Sequence, residues 1–96
     1  MAERLDVISL GRSSVDLYGA EIGADFSDVD MFKKGVGGCP ANIAVGAARL
    51  GLKSALVTRV GNEQFGRFIR EQLVREGVNI EGVITDPARL TALVFL

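Results

Sequence analysis

The sequence predicts an α/β fold, a parallel β-sheet covered by helices with a small antiparallel insertion after the first strand. Three observations point there. Short apolar, β-branched runs alternate with helical patterns in the order strand, helix, strand, helix, strand. Glycines close those segments at Gly11, Gly51, Gly61 and Gly77. The stretch from 15 to 36 breaks the alternation, with two strand-like runs and no helix between them.

Val7-Ile8-Ser9-Leu10 is short, apolar and β-branched, and it reads as a buried strand. Residues 15–22 alternate loosely around Gly19, as a more exposed strand would. Residues 24–30 are polar and acidic, which suits a loop. Residues 31–36 form a third strand that runs into the glycines. Pro40 fits the first turn of a helix, where it has no N–H to lose. Residues 42–50 continue that helix, and Gly51 caps its end. Its small residues Ala44, Gly46, Ala47 and Ala48 let it lie close to a sheet. Residues 54–60 are another buried strand. Asn62 is expected to cap a helix over 63–76. Phe65, Phe68, Ile69 and Leu73 fall at helical spacing as its buried stripe. Residues 83–85 read as a strand, Asp86-Pro87 as a turn, and 91–96 as a last strand.

The chain stops inside that strand, and few elements are present to cover a parallel sheet. Residues 1–96 are therefore expected to be a fragment of one larger domain. At 96 residues the chain holds one small domain at most, and 48% apolar residues make it globular. Eleven basic residues stand against twelve acidic ones, for a net charge of −1. That balance gives no electrostatic argument for nucleic acid or a membrane surface. No apolar run reaches the ~18 residues of a spanning helix. The charged start Met1-Ala2-Glu3-Arg4-Leu5-Asp6 is unlike a secretory signal, and one cysteine forms no internal disulfide. A cytoplasmic protein is expected. The absence of histidine excludes Ser-His-Asp and Cys-His catalysis and histidine-ligated zinc within this chain.

The glycine-rich stretch Gly35-Val36-Gly37-Gly38, followed by Cys39-Pro40-Ala41-Asn42, is the main candidate for binding chemistry. Glycines before a helix allow close backbone approach, and helix N-terminal N–H groups bind oxygens. A phosphate loop would need Gly-Lys-Ser/Thr, which is missing. A dinucleotide fingerprint would follow the first strand directly, and this stretch does not. Spacing alone leaves a plain tight turn open.

Gly37-Gly38-Cys39-Pro40-Ala41-Asn42-Ile43-Ala44, with Gly51 and Gly61, resembles the N-terminal signature of the PfkB/ribokinase-like carbohydrate kinases. Gly11-Arg12-Ser13-Ser14-Val15-Asp16 resembles that family's strand-end motif. Val60-Gly61-Asn62-Glu63-Gln64-Phe65-Gly66 resembles its V-G-x-D-x-x-G segment, with Glu63 in place of aspartate. The likeness covers essentially the whole chain. Within the family, the wording around Arg12, Thr58-Arg59 and 85–93 is most similar to the 5-dehydro-2-deoxygluconokinase subgroup.

The resemblance implies a ribokinase-like fold with a small β lid built from about 15–22, 31–36 and 91–96, a surface that also mediates dimers. It implies that Asp16 accepts hydrogen bonds from sugar hydroxyls, that Gly38 offers its backbone, and that Asn42 offers its amide. Ser14 and Cys39 stand where ribokinase has asparagine and lysine, which argues against ribose. A sugar-acid acceptor carries a carboxylate, for which Arg12 and Arg89 are the candidates. Solvated surface roles for Asp16, Arg12 and Arg89, and a role for Asn42 in satisfying local backbone groups, stay open at this point.

ATP and Mg²⁺ are the implied cofactors. The family's base lies in a C-terminal G-A-G-D-like motif that these residues lack. The 96-residue chain is accordingly expected to hold no catalytic or cofactor residue, to bind sugar weakly or not at all, and to have no kinase activity. Phosphorylation of 2-keto-3-deoxygluconate, fructose or a nucleoside, and a non-catalytic ligand-binding module, remain alternatives.

Overall fold

The computed structural model describes residues 4–96. Met1, Ala2 and Glu3, on which part of the argument about a secretory signal rests, lie outside the described residues. The elements are β1 (Val7–Leu10), β2 (Ser14–Gly19), a single 3-10 turn (Phe26–Asp28), β3 (Phe32–Gly37), α1 (Cys39–Arg49), β4 (Ser54–Gly61), α2 (Gln64–Arg75), β5 (Val83–Asp86) and β6 (Ala92–Phe95). They form two three-stranded sheets. The first has the order β1-β4-β5 and is parallel throughout. The second has the order β3-β2-β6, with β2 antiparallel to β3 and parallel to β6.

The core lies between the parallel sheet and its two helices. Leu56 and Val60 of β4 point the same way, as alternate strand residues do, and meet Ala44 of α1 and Ile69 and Leu73 of α2. Complete burial of each large aliphatic side chain stabilises the fold by roughly 1.5–3 kcal/mol. The small residues of α1 serve only in part as the sequence predicts: Ala44 and Ala48 pack on the core, whereas Gly46 is exposed with open space around it. Ala41 and Ala44 are buried, and the Ser54 hydroxyl reaches across to donate to the Ala44 carbonyl at 2.7 Å. Val15 of β2 joins the same core, which fixes the second sheet to the first at one end. At the far end, Phe26, Phe32 and Phe95 pack as an aromatic cluster with centroids 5.5 to 6.2 Å apart.

Several details differ from expectation. The first strand is not buried: Ile8 and Leu10 are exposed, because no described element packs on their face, and Ser9 is its one buried residue. Strand β2 ends at Gly19 instead of reaching 22, and it opens with the buried Ser14 and Val15 because Val15 enters the core. The segment 24–30 contains the 3-10 turn rather than loop alone. Helix α1 has Pro40 in its first turn, as expected, but it begins at Cys39, so Asn42 lies one step further in. Helix α2 is capped by Glu63, whose carboxylate accepts from the Gly66 N–H at 2.8 Å, and not by Asn62. Phe65 is 42% exposed because the helix presents Gly66 to the sheet instead. A Cβ on Gly66 would collide with the Gly61 carbonyl oxygen, so this close crossing requires glycine.

Candidate functional site

The site begins where β2 and β3 meet helix α1. Ser14 pairs with Gly37 and Asp16 with Gly35 across the antiparallel ladder. Ser14 and Asp16, two residues apart, share one face of the strand. The buried Ser14 hydroxyl donates to Asp16 Oδ1 at 2.8 Å. The Asp16 carboxylate lies directly over Gly37, in the space that a Cβ there would occupy. Its orientation is thus set by a hydroxyl on one side and by an absent side chain on the other. The carboxylate remains partly exposed and keeps lone pairs available as an acceptor.

Gly38 precedes α1 with φ 99°, a backbone that L side chains rarely adopt. A Cβ at Gly38 would also strike the Arg12 carbonyl oxygen. This contact packs the glycine turn against the β1–β2 crossing. The first turn of a helix has N–H groups without intrahelical partners, and they point out of the N-terminus. Asn42 is exposed, and its side chain makes no hydrogen bond among the described residues. It lines a groove with Gly35, the residue opposite Asp16 in the ladder. Cys39 is an exposed free thiol.

A second cluster sits at the carboxyl end of the parallel sheet. Arg12, Arg59 and Arg89 line one cleft together with Asp86. Arg59 Nε lies 3.4 Å from Asp86 Oδ2. The Ala88 N–H holds the Asp86 carboxyl below the usual carboxylate range; desolvation opposes this, and Arg59 and Arg89 reinforce it. Arg12 and Arg89, which sequence reasoning paired, are therefore brought to one place. Arg59 was missed as a candidate. Its signal was its position two residues before Gly61, near the carboxyl end of a parallel strand, where open α/β sheets bind ligands.

Glu63 and Thr91 form a clamp between the two sheets. Glu63 Oε2 accepts from the Thr91 N–H at 2.8 Å, and Oε1 accepts from the Thr91 hydroxyl at 2.7 Å. The Gly61 N–H donates to the Thr91 hydroxyl at 2.9 Å. Burial raises the Glu63 carboxyl, but the bonds from Thr91 and Gly66, with Arg67 nearby, outweigh it and hold it below the ordinary glutamate value. No group of three or more metal-ligating side chains occurs among the described residues.

Comparison with known proteins gives a consistent result. The model of the pfkB family carbohydrate kinase matches residues 4–96. A 5-dehydro-2-deoxygluconokinase of Geobacillus thermodenitrificans is 45% identical over 92 residues, which is 95% of this chain and 27% of that one. The crystal structure of an uncharacterized sugar kinase from Pyrococcus horikoshii superposes with a TM-score of 0.86 at 43% identity, covering 93% of this chain and 30% of that one. The same protein has been solved in complex with ATP. The fructokinase of Halothermothrix orenii superposes with a TM-score of 0.84 at 38% identity, over 95% of this chain and 33% of that one. The chain thus spans about a third or less of the length of these relatives. With its family model matched from 4 to 96 and its two-sheet architecture shared with these kinases, the chain belongs to the pfkB family of carbohydrate kinases and has their ribokinase-like α/β fold.

Proposed function

We propose that this chain is the acceptor-binding part of an ATP-dependent carbohydrate kinase. The observation that carries the reading is the Asp16 carboxylate, oriented by Ser14 above Gly37 beside the start of α1. A carboxylate fixed in this way suits sugar hydroxyls as an acceptor. Ser14, being buried, acts through Asp16 and not by touching the sugar. Gly38 contributes backbone and Asn42 its unengaged amide. The β3-β2-β6 sheet serves as a lid that excludes water from the acceptor, since water competes for the phosphoryl group. Its exposed Tyr18 and Phe95, with Phe26 of the adjoining 3-10 turn, suit contact with a second copy, giving a homodimer.

ATP and Mg²⁺ are held by residues outside this segment, which also supply the base. The acceptor is 5-dehydro-2-deoxygluconate, phosphorylated at its 6-hydroxyl in the cytoplasm during inositol breakdown. The wording shared with the 5-dehydro-2-deoxygluconokinases supports this. The fructokinase-like neighbours keep fructose as the competing acceptor. The test is a substrate panel on the full-length protein: this sugar acid, 2-keto-3-deoxygluconate, fructose and nucleosides. The proposal expects the highest kcat/KM for the sugar acid, and a loss of at least about tenfold in Asp16→Asn, equivalent to ~1.4 kcal/mol. Equal turnover by Asp16→Asn would remove the acceptor role.

A further inference from the structure

We propose that Arg12, Arg59 and Arg89 form a subsite for the carboxylate of a sugar acid, continuous with the Asp16 face. The inference rests on the acceptor-binding reading with its sugar-acid acceptor, and adds to it the place where the carboxylate is held and a third arginine.

The three residues come from separate parts of the chain. Arg12 follows β1, Arg59 lies near the carboxyl end of β4, and Arg89 lies in the β5–β6 connection. They converge on one cleft in which, among the described residues, Asp86 is the only acidic side chain. Three guanidinium groups against one carboxylate leave the lining with a net charge of +2. Solvated arginines ordinarily spread apart, because like charges repel. Convergence without matching acids describes a place prepared for an anion. Arg59 is the anchored member, held by Asp86. Arg12 and Arg89 make no hydrogen bond or ion pair among the described residues. Their planar forks are free to take a carboxylate in the two-bond geometry that arginine favours.

Continuity with Asp16 comes from the second sheet. Ala92 lines the arginine cleft and pairs in register with Ser14. Ser14 shares its face with Asp16, two residues along the strand, or about 7 Å. A hexose-length chain whose hydroxyls meet Asp16 can therefore place its end among the arginines.

The test is calorimetric titration of the full-length protein with D-gluconate, D-glucitol and inorganic phosphate, so that binding is read without turnover. Gluconate and glucitol differ only in carboxylate against hydroxymethyl. Gluconate is expected to bind at least about tenfold more tightly, a ratio corresponding to ~1.4 kcal/mol. Arg12→Gln and Arg89→Gln are each expected to erase most of that advantage and to leave glucitol affinity unchanged. Equal binding of the two polyols, or variants that weaken both alike, would overturn the subsite. Tighter binding of phosphate than of gluconate would also overturn it, as a phosphate site. The Asp16→Asn variant separates the two readings. It should weaken both polyols. If it weakens neither while the gluconate advantage persists, the hydroxyl assignment fails and the arginine subsite stands.

Discussion

At the scale of single residues, the site depends on how one carboxylate is held. Asp16 takes its position from the Ser14 hydroxyl and from the empty space over Gly37. Gly37→Ala would put a methyl group where the carboxylate lies, within a strand pair that cannot open locally. We expect a loss of roughly 1–3 kcal/mol in urea unfolding, the range for overpacked sites, together with loss of acceptor binding. A variant of unchanged stability and affinity would show that the carboxylate has another place to go. Ser14→Ala removes the hydroxyl but little volume. It should cost about 1 kcal/mol of stability and raise KM for the acceptor severalfold with kcat retained, because Asp16 loses its orientation and not its charge. That Asp16 and Asn42 would gather around the glycine turn was legible from the motif wording. The Ser14–Asp16 bond was not, because sequence shows which residues are near in number and not which rotamers meet.

At the scale of elements, the two sheets are joined by few segments, and Glu63 governs one of them. Its carboxylate caps α2 and also binds the Thr91 N–H and hydroxyl at the entry to β6. Folding lowers the Glu63 pKa. Its contribution is therefore fully present above the unfolded value, about 4.3. It is lost as pH falls from there through the lower folded value. Glu63→Gln mimics the protonated group. The stability gap between the parent and Glu63→Gln should be widest near neutral pH and should close on acidification below about pH 4. A gap independent of pH would mean that the charge of Glu63 contributes nothing. The order of elements was readable because glycine and proline punctuate it. The cap was misread because Asn62 is the better N-cap by type, whereas tertiary contact with Thr91 selects Glu63. The misplaced Phe65 has a related cause. Helical periodicity finds an apolar stripe, but it does not register that Gly66 must face the sheet where Gly61 leaves no room.

At the scale of the whole molecule, the chain is elongated, with extents of 51 × 33 × 18 Å and a radius of gyration of 14.5 Å. A compact domain of this length would have a radius near 12 Å. The second sheet stands away from the first, and both helices cover the same face of the parallel sheet. On the opposite face Ile8, Leu10 and Ile84 are 63%, 76% and 49% exposed. Parallel sheets are ordinarily covered on both faces. The relatives are about three times as long or more, and we propose that the remainder of such a chain covers this face and brings the nucleotide site. The 96-residue chain alone should then show concentration-dependent association and strong binding of an apolar dye. Leu10→Lys should reduce both while leaving the unfolding midpoint nearly unchanged, since the side chain has lost little contact with solvent. The same 96 residues should transfer no phosphate from ATP to any sugar, whereas the full-length protein does. Dye binding that persists undiminished in the full-length protein would refute the covering role. Phosphoryl transfer by the short chain would refute the division of labour between the acceptor-binding and nucleotide-binding parts.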